Sequence, residues 1–175
     1  MLTARCLQCV TDRIVEWLGG WISGVTGRTA LTEQFVPKWD RIKIGPGGIP
    51  LRDDNGELII ERARLDVAFD DRQGRRTYID VMITNAATIS PAERHARAMR
   101  DGAAAARGED TKRIRYPGPD LVPFGLESKG RPGDAAVELM KSVCPSDAEL
   151  LGLARQSLSV LVQLRAADLI WAGVR

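Results

Sequence analysis

Asp66 and Asp80 are the residues whose type and spacing promise chemistry. They sit in two apolar stretches, Arg64-Leu65-Asp66-Val67-Ala68-Phe69 and Thr77-Tyr78-Ile79-Asp80-Val81-Met82-Ile83, joined by Asp70-Asp71-Arg72-Gln73-Gly74-Arg75-Arg76. Both stretches alternate with a period of two, as half-buried strands do. A tight turn centred on Gln73 sets Asp66 opposite Asp80. Opposed side chains on one face lie roughly 4.5–5.5 Å apart at Cβ, and like charges at that spacing weaken a hairpin. A divalent cation between them removes that cost. Strand carboxylates with such a metal are suited to phosphodiester hydrolysis. The residues alone leave a blander arrangement open: each aspartate faces solvent and pairs with an arginine such as Arg64 or Arg76.

The surrounding pattern predicts the elements that hold this pair. Residues 11–26 read as a helix capped by Thr11 or Asp12, with Ile14, Val15, Trp17, Leu18, Trp21, Ile22 and Val25 on a broad apolar face. A first strand over 30–36 is stopped by Pro37. Residues 37–56 are rich in Gly and Pro and read as a long loop or ragged hairpin. The strands bearing Asp66 and Asp80 follow at about 58–69 and 76–84. Ser90, Pro91 and Glu93 mark a helix start. That helix runs to about Ala106, with a break near Gly102, and 109–116 continue it. Residues 120–127 form a strand whose Pro123 confines it to an edge or a bulge. Helices at Asp134–Val143 and about 147–172 close the chain. The order predicts a mixed α/β domain, single over 1–175. It divides into an N-terminal helix region (1–29), a core (30–130) and C-terminal helices (131–175).

Composition narrows the function classes. A chain of 175 residues with 44% hydrophobic content is large enough for a real core. The net charge of +2 permits a nucleic-acid partner without demanding one. Arginine greatly outnumbers lysine, and its planar fork suits phosphate. Three cysteines make no disulfide framework, no stretch reaches the roughly 18 apolar residues of a membrane span, and no signal-peptide pattern opens the chain. The expectation is an intracellular protein, nuclear in a eukaryote, with no membrane association.

The order α-β-β-β-α-β, with acids on the second and third strands, resembles the PD-(D/E)xK nuclease superfamily. The run Arg64-Leu65-Asp66, a spacer and Asp80 resembles the motif of the restriction-like endonuclease domain of non-LTR retrotransposons. The phrases Tyr78-Ile79-Asp80-Val81-Met82-Ile83-Thr84-Asn85, Lys112-Arg113-Ile114-Arg115-Tyr116-Pro117 and Val122-Pro123-Phe124-Gly125-Leu126-Glu127-Ser128-Lys129-Gly130 are similar to that domain's third strand, basic helix end and following strand. The likeness covers roughly residues 30–172. It implies a restriction-endonuclease-like core with a mixed sheet of about four strands flanked by helices. It further implies a Mg²⁺- or Mn²⁺-dependent endodeoxyribonuclease of retroelement origin, acting on DNA, with a reverse transcriptase or other retroelement protein as a further partner.

By the same resemblance, Asp66 and Asp80 hold the metal. The lysine that most of the superfamily carries two residues after the second acid is Met82 here. In the retrotransposon branch the lysine migrates to the next helix near a tyrosine, and Lys112 with Tyr116 match, four residues apart and so on one helical face. Glu33 is a further acidic neighbour and Glu127 a weaker one. Arg72, Arg75, Arg76, Arg113 and Arg115 are candidates for DNA-backbone contacts, which position a duplex without choosing sequence. The alternative is a catalytically inactive remnant of the fold, acting as a nucleic-acid-binding or protein-interaction module.

Each of these residues has a plainer role open to it. Lys112 serves equally as a solvated lysine on last-turn carbonyls, Tyr116 as a half-buried ring on the sheet, and Glu33 as an exposed strand glutamate. Cys6 and Cys9 resemble half of a zinc knuckle, but no His or Cys follows within the next twenty residues. His95, the one histidine, has no nucleophile motif beside it. Gly45-Pro46-Gly47-Gly48 lacks the ending of a phosphate loop. Trp17 and Trp21 belong to a core face.

Overall fold

A computed structural model describes residues 4–84 and 102–173. The predicted helix start at Ser90 and the single histidine, His95, lie outside the described residues. Helix α1 spans Ala4–Thr26, beginning earlier than the sequence pattern suggested and carrying Cys6 and Cys9 in its first two turns. Strand β1 is Leu31–Phe35, β2 is Arg41–Ile42 and β3 is Ile60–Glu61. Strands β4, Arg64–Asp70, and β5, Arg76–Thr84, form the hairpin. Helix α2, Ala103–Arg115, crosses to β6, Leu121–Glu127. Helices α3, Asp134–Val143, and α4, Ala148–Gly173, follow. None of the described helices is long and apolar enough to cross a membrane.

The main sheet has four strands in the order β1-β4-β5-β6. β1 and β4 pair antiparallel, as do β4 and β5. β5 and β6 are parallel, because a helix intervenes between them. β6 is an edge strand, as β1 is at the other side, and there Pro123 costs no ladder bond. The strand predicted over 58–69 divides in two. β3 leaves to pair with β2, and a three-way set of bonds among Lys43, Leu51 and Ile59 ties up this side arm.

Two cores hold the layers together. Ile14, Leu18 and Ile22 recur every fourth residue of α1 and are fully buried against Val67, Phe69, Ile79 and Val81. Leu139 and Met140 of α3 and Leu158 of α4 join the same cluster. Trp17 and Trp21 stack beside it with ring centres 5.8 Å apart. A second cluster gathers Val36, Trp39, Ala63, Leu65, Tyr116 and Leu121.

Helix α2 lies close on the sheet because its inward residues are small. A Cβ on Gly108 would sit 2.5 Å from Met82 Sδ. Ala104 and Ala105 are buried on the same helix. Glu109, one turn before Lys112, is only 1% exposed. Its carboxylate accepts backbone N–H bonds from Gly125 (3.3 Å), Ala135 (3.1 Å) and Ala136 (3.3 Å). It thereby fastens α2 to β6 and to the first turn of α3, where an acid is favoured. Gly133 is the space it occupies: a Cβ there would lie 2.4 Å from Glu109 Oε1.

Candidate active site

The sheet is interrupted where the acids meet. The β4–β5 register ends at Val67↔Ile79. Beyond it, Leu65 and Arg64 pair with β1, and Asp80 to Thr84 pair with β6. The sheet forks at Asp66 and Asp80. Leu65 packs in the second cluster and Val67 in the first, so β4 changes face at Asp66. Pairing between β1 and β4 skips the same rung, between Thr32↔Val67 and Gln34↔Leu65. Glu33 occupies that gap with φ 55°, left-handed for a non-glycine residue. Local irregularities of this kind re-aim side chains and concentrate beside functional sites.

At the fork, Asp66 Oδ2 accepts a 2.6 Å hydrogen bond from Val81 N, standing in for a ladder carbonyl. Asp80 is 5% exposed, and its Oδ2 makes no aligned hydrogen bond among the described residues. Lys112 Nζ reaches that oxygen at 2.6 Å as an ion pair. The two carboxyls are close enough for the charge of Asp80 to act on Asp66. Burial, then the charge of Asp80, raises the pKa of Asp66 from 3.8 to about 7, with the Val81 N–H bond and then Lys112 opposing the rise. Protonation of Asp66 and the ammonium of Lys112 both lessen the like-charge repulsion here. Two carboxylates suffice for Mg²⁺ when phosphate and water complete its shell. No group of three or more metal-ligating side chains converges among the described residues.

Tyr116 ends α2, its N–H bonded to Lys112 O at 2.8 Å. Its ring centre lies 6.0 Å from Lys112 Nζ. Burial raises its phenol pKa, so it stays neutral. Glu33 is exposed and 3.7 Å from Arg64. With Asp12, Glu16 and Asp66 it lines a cleft of about 150 Å³ between α1 and the sheet. Glu127 lies away from the fork, capping the start of α2 through Ala104 N. Compared with protein-family models and with curated proteins, the chain matches none.

The arginines divide by place. Arg113 and Arg115 stand on the last turn of α2, beside Lys112. Arg113 pairs with Asp110 at 2.9 Å and Arg115 with Glu61 at 2.6 Å. Arg75 and Arg76 pair with Asp71 (2.8 Å) and Asp70 (3.2 Å) at the hairpin tip. At about 3.3 Å per residue, Asp70 lies roughly 13 Å along β4 from Asp66, so the tip arginines do not flank the acids. Sequence reasoning missed Glu109. A helical glutamate normally reads as solvated, and the only available signal was the pair of glycines, Gly125 and Gly133, that make room for it.

One pH effect follows from Asp66 alone. Its folded-state pKa lies above its unfolded value, so the folded state binds the proton more tightly. The stability it contributes is complete below pH 3.8 and is lost as pH rises through about 7. In EDTA, wild-type protein is expected to lose melting temperature across that window relative to Asp66→Asn, which has no such titration. Parallel melting profiles for the two proteins would contradict this assignment.

Proposed function

We propose that the chain is a metal-dependent DNA endonuclease with a PD-(D/E)xK-type core, of the restriction-like kind found in retroelements. The observation that carries this reading is the convergence of Asp66, Asp80 and Lys112 at the fork of the sheet, with Nζ 2.6 Å from Asp80. Asp66 and Asp80 would hold Mg²⁺ or Mn²⁺. The metal, when bound, supplies a water of lowered pKa and charge neutralisation at the phosphate. Lys112, held by the close seat of α2, donates from its ammonium to a phosphate oxygen and stabilises charge there. Tyr116 and the second cluster hold the end of α2 in place. Glu33 borders the approach to Asp66. Arg113 and Arg115, at the same helix end, are the candidates for phosphate contacts near the cut.

One observation favours a second reading, a nuclease-like core that binds nucleic acid or protein without cutting. Lys112 already neutralises Asp80, so the pair does not require a metal in order to fold. A supercoiled-plasmid assay separates the two. The nuclease reading expects nicked and linear DNA with Mg²⁺ or Mn²⁺ and none with EDTA. Intact plasmid under every metal condition, with folded protein, selects the second reading.

A further inference from the structure

A hollow of about 360 Å³ lies at the hairpin tip, away from Asp66 and Asp80, between the end of α1, the β4–β5 turn and the end of α3. Its floor is apolar, with Phe69, Leu139 and Val143. Its wall carries Arg28, Arg72 and Arg75 together with Asp70 and Asp71. Arg75 is neutralised by Asp71 and the neighbouring Asp70 by Arg76. Arg28 and Arg72 are different. Among the described residues their guanidinium hydrogen bonds go only to main-chain carbonyls. Arg28 bonds those of Asp70, Asp71 and Arg72, and Arg72 bonds Val143 O at 3.4 Å. Neither forms an ion pair with a described carboxylate.

Asp70 and Asp71 also line the hollow but pair with Arg76 and Arg75, so among the described residues no carboxylate pairs with Arg28 or Arg72 there. Each guanidinium has five donors, and the carbonyl bonds fix its plane while leaving donors free. Planar forks of this kind recognise phosphate oxygens. We infer that Arg28 and Arg72 form an oxyanion site for a phosphate group, separate from the Asp66–Asp80 fork and independent of whether that fork cuts DNA. The phosphate belongs either to a nucleic-acid backbone or to a free phosphate-bearing molecule.

The test follows the melting temperature of the whole chain against inorganic phosphate and pyrophosphate, with NaCl at matched ionic strength as the control. The site predicts a saturable rise of roughly 3–6 °C at tenfold the dissociation constant. The rise should vanish in the Arg28→Gln, Arg72→Gln double variant and persist in Asp66→Asn. Arg28 braces the turn, so Arg72→Gln, which gives up a single long carbonyl bond, is the second variant if the double one is unstable; it should weaken the rise. A response no larger than that to NaCl, or one unchanged in both arginine variants, overturns the proposal. Binding of a short duplex identifies the source. If the phosphate is nucleic-acid backbone, the double variant lowers the slope of log affinity against log salt by about 2. An unchanged slope, with phosphate binding lost, assigns the site to a free phosphate compound.

Discussion

Asp66→Asn and Asp80→Asn are each expected to reduce metal-dependent nicking by a factor on the order of 10³. A metal-bound oxygen at the phosphate contributes several kcal/mol to the transition state, and about 1.4 kcal/mol corresponds to tenfold in rate. Asparagine removes a charged ligand while keeping the side chain's size. At Asp66 it also keeps an oxygen able to accept the 2.6 Å bond from Val81 N, so the fork retains its shape. The loss should therefore appear in activity, with the cooperative urea transition preserved. Wild-type nicking in either variant would remove that aspartate from the site.

Lys112→Met carries the second large effect, and it is read in stability. The substitution leaves Asp80, 5% exposed, without its cation. Breaking one side of a buried pair costs about 3–5 kcal/mol, and Lys112 is 24% exposed, so the lower end applies, about 3 kcal/mol. Methionine fills the space of the lysine stem and isolates the charge. The cost should be largest at pH 8, where Asp66 is ionised as well, and smaller at pH 5, where Asp66 holds its proton. Urea unfolding in EDTA at the two pH values measures both numbers. Equal stability of variant and wild type at pH 8 would mean that the ion pair does not hold Lys112 to the fork.

The parts of this fold legible in the sequence are those fixed locally. The turn at Gln73 determined the register of β4 and β5, since a short hairpin leaves little freedom once one face is buried. Asp134–Val143 was readable to the residue because its apolar positions recur with helical spacing. Pro123 announced an edge strand.

The features that shape the site were hidden because they come from tertiary packing. The division at Arg62-Ala63 left no mark in the alternation, and β3 joins another sheet. The change of face at Asp66 and the left-handed Glu33 are coupled across two strands, and neither residue type signals it. The buried face of α2 is alanine, glycine and glutamate, so hydrophobic periodicity gave no warning that this helix would sit close enough for Lys112 to reach Asp80. Charge counting placed the tip arginines with the DNA contacts. Once folded, Arg75 and Arg76 spend their charge on Asp71 and Asp70, while Arg28, which the sequence did not single out, joins Arg72.

The proposed function requires one physical fact: that the carboxylates brought together at the fork take up a divalent cation. Calorimetric titration of the metal-free chain with Mn²⁺ measures this directly. The account predicts saturable uptake of about one ion per chain, abolished by Asp80→Asn and unaffected by Arg72→Gln. Absence of saturable uptake, or uptake that survives Asp80→Asn, would contradict it.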